Sequence, residues 1–489
     1  MMPIKPVFLI TDALIFVLIV VVAISAWHIG RHEHLLAPWK KVGHSRTGMV
    51  AAVILLAFVV VGVLDSLHFR PLLAGGEAGK PNYAIDVMSV FDLIALPLKD
   101  KREKTYSAPL ATHLFAKETV EMPDGTEARV FPRLMHGGAH LKDPERDRRP
   151  DIVKRVIAGI AIAAIAWNVL LLCVTLWLSH RHSHTVRETW SAIWRGHTTM
   201  PWREMLIANG LLFLVIVPMI VLSARYHVLG TDKVGQDVFY LTLKSIRTGL
   251  VIGTLTTLVT LPFALLLGIL AGYLRGWVDD VIQYFYTTLN SIPGVLLIAA
   301  SVLILQGVID RHQDWELLQT SSQRADARLF LLCMILGVTS WTGLCRLLRG
   351  ESLKLRELEY IQAARAFGVS GYRIITRHIL PNVMHIVLIA IVMDFSGLIL
   401  AEAVLSYVGV GVDPSMNSFG TMINAARMEM ARDPMVWWSL ASAFSFMLLL
   451  VLAANLFADA VRDAFDPRIR GRMVSPGFLS KYLPAFPRR

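Results

Sequence analysis

Residues 359–382 read EYIQAARAFGVSGYRIITRHILPN, a short segment of small, aromatic and basic residues between two apolar runs. Ala363-Ala364 is followed four positions after Ala364 by Gly368, and Ile379-Leu380-Pro381 closes the segment. Leu358, Ile361, Ala364 and Ala366–Phe367 fall on one face of a short helix, and the paired alanines permit close backbone approach. Gly368 permits a left-handed C-terminal cap. Pro381 fits the first turn of the following helix, where its missing N–H costs little. A plain amphipathic connector at the membrane surface accounts for the arginines here, but not for this punctuation. A loop that seats in a groove of another protein accounts for both.

The runs on either side decide the class. The chain of 489 residues is 55% hydrophobic and 17% charged, with a mean hydropathy of +0.54. Soluble domains carry about 25% charged residues, so this balance indicates a polytopic membrane protein. A hydrocarbon core of roughly 30 Å needs about 20 apolar residues per helix. Candidate spans are Val7–Trp27, Gly48–Leu64, Val156–Leu178, Met205–Leu222, Leu250–Leu274, Leu289–Gly307, Leu329–Leu348, Val383–Val404 and Trp437–Phe457, nine in all. The net charge of +11, from 48 Lys+Arg and 37 Asp+Glu, reads as loops facing an anionic leaflet. No nucleic-acid module accompanies it, so no nucleic-acid partner is expected. Cys173, Cys333 and Cys345 fall in apolar spans without metal spacing and read as small buried hydrophobes.

Sidedness follows from the basic loops. Arg349, Lys354, Arg356, Arg365, Arg373 and Arg377 follow one span, and Arg462, Arg468, Arg470, Arg472, Lys481, Arg488 and Arg489 follow the last. Both are expected to be cytoplasmic. Counting backwards puts Ser179–Arg203 and His28–Thr47 inside, and the N-terminus and Asp65–Asp151 outside. Ala23-Ile24-Ser25-Ala26 resembles a signal-peptidase site. Cleavage there breaks the alternation of every later loop, so an uncleaved helix is the reading, with a cleaved or re-entrant segment as the alternative. The outer stretch is either a folded cap or a partly ordered insertion.

Other motifs carry less. Gly75–Pro81, GGEAGKP, lacks the first glycine and the Ser/Thr of a phosphate loop. His28, His32, His34 and His44, and His180, His182 and His184, have spacings that can bring imidazoles together. They lie at membrane ends, and headgroup contact is the simpler reading. No metal, cofactor or catalytic residue is expected. Asp394 and Glu402 lie in the eighth span, where an unpaired charge costs at least ~2.5 kcal/mol, so each needs a cavity or a partner. Asp394, nearer mid-span, is a candidate for the translocation path, and Glu402 for a local hydrogen bond at a helix end. Pro262 and Pro293 are expected to kink the fifth and sixth spans.

Four further segments carry a family resemblance. His227–Val238, HVLGTDKVGQDV, resembles the HxLGTDxxGRDV stretch of dipeptide/oligopeptide/nickel ABC importer permeases of the second-permease type. Gly272–Asp279, GYLRGWVD, is similar to their GYxxGWxD turn. Leu400–Gly411, LAEAVLSYVGVG, and Asn455–Arg468, NLFADAVRDAFDPR, resemble their LAEAxLSFLGLG and NLLGDxLRDxLDPR stretches. The resemblance implies an all-α polytopic protein with the six-helix core of a type I ABC importer, plus about three additional N-terminal transmembrane helices. The resemblance covers roughly Met205–Arg470; with the spans and loop parity, the expected domain order is 1–64 (two helices), 65–151 (extracytoplasmic insertion), 152–204 (third extra helix and basic linker), 205–470 (permease core) and 471–489 (tail).

Such a permease forms half of a path for peptides or a related solute in the bacterial inner membrane, with no chemistry of its own. Its implied partners are a homologous second permease, two ATP-binding subunits, an extracytoplasmic substrate-binding protein and membrane lipid. Glu359, Gln362, Ala363, Ala364, Gly368 and Pro381 would carry coupling to the ATPase through the loop 349–382. Gln362 and Gln236 stand where the family has Glu and Arg, which removes a charge at each position. The competing readings are a proton-driven carrier that uses Asp394 and a membrane enzyme built on the histidine groups. The solute and the role of the first roughly 200 residues are not encoded in these motifs.

Overall fold

The computed structural model describes residues 4–72, 83–121, 127–311 and 320–465. Among them, eight helices are long and apolar enough to cross a membrane, and Trp277–Ser291 with Gly294–Val308 makes a ninth when read as one bent span. The chain is an all-α polytopic membrane protein. Gly75–Pro81 and the tail from residue 466 lie outside the described residues.

Val238–Leu274 and Ser321–Arg356 form the central helix pair. Their backbones meet closely because glycine faces the crossing. A Cβ on Gly268 would lie 2.8 Å from the Cys345 carbonyl oxygen, and one on Gly272 would lie 2.6 Å from that of Arg349. Small residues drive helix association where lipid removes the hydrophobic incentive. Gly371–Val408 and Trp438–Phe465 complete this bundle. Arg46–Asp65 packs between Trp438–Phe465 and Val238–Leu274 and links them to Trp202–Ser223, against which the long Pro144–His182 helix lies.

Polar and aromatic contacts gather at the two ends of the bundle. At one end, strand Ile4–Pro6 pairs with His68–Pro71, and Trp438 Nε1 donates to the Thr231 carbonyl at 3.0 Å. At the other, Trp39 meets Phe465 edge-on at 5.4 Å, and Arg349 grips Asp279 at 2.6 and 2.8 Å.

The three prolines differ in what they do. Pro262 lies inside Val238–Leu274, which runs through it as one helix, as neighbouring helices allow in membrane proteins. At Pro293 the sixth span does not kink but breaks, with a 90° bend between its halves. Ile292 before it is extended (φ −91°, ψ 132°), the conformation a following proline favours. Pro381 sits in the first turn of the α-helix Leu380–Val408, as expected, but that helix is continuous with the turns before it. The continuous run begins at Gly371 and reaches Val408, with a π-turn over Ile375–Ile379 immediately before Leu380-Pro381. The Leu380 N–H reaches back to the Ile375 carbonyl, a five-residue step at the place where the proline cannot donate.

Cys333 and Cys345 are buried, whereas Cys173 is exposed, because Pro144–His182 is a peripheral helix that turns much of its surface outward. The Asp65–Asp151 stretch is folded among its described residues. It contributes strands His68–Pro71 and Met88–Ser89 to one sheet and Glu118–Glu121 and Glu127–Val130 to another.

Candidate coupling site and outer polar lock

The stretch from Leu358 forms a helix over Glu359–Ala366. Its end is fixed by Gly368 at φ +77°. The Gly368 N–H bonds the Arg365 carbonyl at 3.0 Å and the Val369 N–H bonds that of Ala364 at 3.1 Å, the two bonds of a Schellman cap. Ile361, 1% exposed, anchors the helix in a cluster with Tyr273, Leu355, Ile374 and Ile379, against which Ala364 also packs. Phe367 does not share that buried face: it is 87% exposed. Glu359, Gln362, Ala363 and Pro381 are exposed as well.

Gln362 Nε2 donates to the Glu357 carbonyl at 3.2 Å and to its carboxylate at 3.3 Å. Glu357 in turn accepts from Arg275 at 2.7 Å. Arg275 (φ +58°) and Gly276 (φ +61°) make the sharp reversal between Leu274 and Trp277, and Arg356 caps the preceding helix by donating to the Tyr273 carbonyl at 2.7 Å. The short helix is therefore tied to the ends of three longer ones, and its far side faces outward.

Asp394 lies on the exposed stripe of Gly371–Val408 with Met393, Leu400 and Val404. Glu402, 1% exposed, accepts hydroxyl protons from Ser406 at 2.6 Å and Ser418 at 2.8 Å. Ser418 is also the N-cap of Phe419–Glu429, so Glu402 ties two elements together and does not line a cavity by itself.

The opposite end holds polar groups that the sequence reading did not single out. Arg247, 5% exposed, donates to Asp12 at 2.5 Å and to the Thr11 hydroxyl at 3.0 Å. Asp326 lies 3.7 Å from the same guanidinium and accepts the Thr11 N–H at 3.1 Å. The first helix thus supplies a counterion to a buried arginine of the central pair. Lys244, one turn earlier, bridges Asp65 at 2.7 Å and Asp92 at 2.9 Å.

A second buried cluster joins the insertion to the core. His227 is hydrogen-bonded to Asp237 at 2.7 Å and Glu103 at 3.3 Å. Glu103 also accepts the N–H groups of Met135, His136 and Gly137 at 2.8, 2.8 and 3.0 Å. Burial pulls His227 toward neutrality, but the bonds to Asp237 and Glu103 outweigh it and hold the imidazolium up to about 9. Burial likewise pushes Glu103 up, but His227 and the backbone donors bring it down to about 2. Asp237 in addition caps Val238–Leu274 by accepting from the Phe239 and Tyr240 N–H groups. Two signals pointed this way: lone charges inside apolar helices (Asp12, Arg247, Asp326) and a histidine ten residues before the Asp237 cap.

Known proteins carry the same arrangement of sequence. Residues 264–471 match the family described as "Binding-protein-dependent transport system inner membrane component". The glutathione transport system permease protein GsiD of Pectobacterium atrosepticum is 31% identical over 310 residues, covering 58% of this chain and 93% of that protein. This chain belongs to that family. The oligopeptide transport system permease protein OppC of Mycobacterium tuberculosis is 32% identical over 244 residues, 50% of this chain and 77% of that one. The dipeptide permease DppC of Bacillus subtilis is 29% identical over 244 residues, 50% and 69%. Solved inward-facing structures of the MetNI methionine ABC transporter align over 47% of this chain and 98% of theirs, at 16% identity and a TM-score of 0.36. The protein is accordingly a membrane permease of an ABC importer. The coupling-stretch residues and Asp394 lie within the family match, and Asp12, Glu103, His227 and Arg247 lie before it.

Proposed function

We propose that this permease imports peptides or a related small solute across a bacterial inner membrane, and that Glu359–Pro381 transmits ATPase motion to its helices. One observation carries the reading. Ile361 is sealed at 1% exposure in the helix cluster, while Phe367 (87%) and Tyr372 (79%) stand out from the same turn. Large aromatics projecting from a rigidly capped turn at a membrane protein's surface call for a protein groove. A push on that turn passes through Ile361, and through Gln362 to Glu357 and Arg275, into three helix ends as a rigid-body motion. ATP hydrolysis belongs to separate partner chains, two of them, with a second permease completing the path and a binding protein delivering solute outside.

The basic loops assign the coupling end to the cytoplasm and the N-terminus to the outside. The division into an extension (1–64, 65–151 and 152–204), a core (205–470) and a tail (471–489) fits this reading. Asp394, exposed and without a hydrogen-bond or ion-pair partner among the described residues, faces the translocation path in this account. The peptide class rests on the relatives' names. Co-purification of the tagged permease with ATPase subunits encoded beside it tests the coupling claim. Association that survives Phe367→Asp and Tyr372→Asp together would remove its basis.

A further inference from the structure

The third additional helix, Pro144–His182, ends at the face assigned to the cytoplasm. The connection to the next long helix, Trp202–Ser223, lies beside residues 43–46. Arg46 lies 3.6 Å from Glu204, and Gly43 abuts the Met200 side chain, where an added Cβ would come within 3.3 Å. Before Met200 and Glu204 in the chain runs Val186–Arg195, a two-sided helix opened by a Thr185–Glu188 capping box and closed by Gly196. Ile193, 1% exposed, pins it against Leu178 and Leu206. Trp177 and Trp190, half-exposed, stay at the surface, as indoles do at the headgroup level of a membrane.

A pocket of about 620 Å³ opens between this short helix and the two long ones. Its floor is apolar, made by Leu178, Ala192 and Trp202, and its rim carries Arg181, His184 and His197. The Arg181 guanidinium lies over the Trp177 ring at 5.2 Å, which keeps it at the mouth. The one acid in the lining, Glu188, has its carboxylate turned back to the Thr185 N–H at 3.1 Å. Deeper on the same helix pair, Ala163, Ala164, Trp167 and Gly210 line a second recess of about 320 Å³ that is almost wholly apolar.

We propose that this pocket binds the headgroup of an anionic phospholipid, with phosphate on Arg181 and the two imidazoles and acyl chains along the apolar helix pair. Basic pockets between membrane helices on the cytoplasmic side suit such headgroups, and the aromatic rim places this one at the correct depth. The inference rests on the membrane orientation given above but not on the coupling claim. It assigns the third extra helix and its basic linker to lipid anchoring.

The test uses the full-length protein in nanodiscs of phosphatidylcholine and phosphatidylglycerol. After extraction into mild detergent, native mass spectrometry counts the retained lipid. Wild type should retain phosphatidylglycerol over phosphatidylcholine. R181Q/H184Q/H197Q should lose about fivefold or more of that preference, and Ala192→Phe, which fills the pocket without touching charge, should lose it as well. R31Q/K40Q/K41Q, which removes at least as much charge from the same face without touching the pocket's contacts, should retain it. Equal loss in both triple variants, full retention in Ala192→Phe, absence of an anionic preference, or displacement of the lipid by millimolar inorganic phosphate would each overturn the proposal.

Discussion

His227 Nε2 lies 3.3 Å from Glu103 Oε1, a contact across 124 positions that fastens the outer insertion to the first loop of the permease core. Both side chains are 1% exposed. Gly235 reinforces the join. It sits at φ +72° so close to the insertion that a Cβ would come within 1.8 Å of the Glu103 carbonyl oxygen. The insertion is therefore built into the core and is not an appendage.

A pH dependence follows from that join. His227 is raised from 6.5 to about 9, so its contribution to stability is complete below 6.5 and is lost as pH rises through about 9. Glu103 is lowered from 4.5 to about 2, so its contribution is complete above 4.5 and is lost as pH falls toward about 2. Thermal unfolding in detergent should show greatest stability near pH 5–6, with a decline on the alkaline side that His227→Gln abolishes. Glu103→Ala, which leaves His227 to Asp237 alone and the N–H groups of Met135, His136 and Gly137 without their acceptor, should cost about 3–5 kcal/mol at neutral pH. An alkaline limb unchanged in His227→Gln would refute this assignment.

Arg247 and Asp12 make a second long-range dependence, over 235 positions. Asp12→Ala leaves the guanidinium with Asp326 at 3.7 Å and should destabilise the protein by about 3 kcal/mol or more. A double-mutant cycle of D12A with R247A should return a coupling of at least ~1 kcal/mol. Deleting the first helix should have the same effect as Asp12→Ala or a worse one, and intact mass of the membrane-extracted protein should include residues before Ala26. Strict additivity of the two substitutions would contradict the lock.

The Schellman cap gives a third expectation. Gly368→Val places a branched side chain at φ +77° with nothing within 4 Å to clash against, so its cost is one of backbone conformation. That cost is about 1–2 kcal/mol, too little to unfold the bundle but enough to fray the turn. Uptake should fall severalfold while thermal stability stays nearly constant. An equal fall in both would show that the turn is a folding element and not a coupling one.

Asp394→Asn separates the path from a proton site. ATP-dependent uptake should change in rate or selectivity while remaining ATP-dependent, and transport by the chain alone should be undetectable in a pH gradient. Proton-driven uptake by the lone wild-type chain would favour the carrier reading.

Much of the architecture was legible because membrane spans are local signals: apolar length alone marked nearly every helix. The family motifs, too, are contiguous runs. What escaped was of two kinds. Proline marks trouble but not its form. Pro262 is absorbed, Pro293 breaks its span, and Pro381 is met by a π-turn, a choice made by neighbouring helices and by the residue before the ring. The polar locks were missed because their members are far apart in sequence. Asp12 and Arg247 are lone charges in apolar helices and Glu103 is one charge in a polar stretch; only packing shows that Asp12 meets Arg247 and Glu103 meets His227. At the coupling stretch, Gly368 could be read from the sequence, but Phe367 could not, because amphipathic spacing placed it on the buried face and the cap turned it out.

The central claim is that the turn after Glu359–Ala366 seats in an ATPase subunit, and a single cysteine at its most exposed side chain tests it directly. Phe367→Cys, in a background with Cys173, Cys333 and Cys345 replaced by Ser or Ala, should cross-link to the cognate ATPase subunit with a short bifunctional reagent. The yield should change between nucleotide-free and ATP-trapped states. Cross-linking absent in both states, no different from that of a cysteine at exposed Ile85 in the stretch proposed to face outside, would contradict the account.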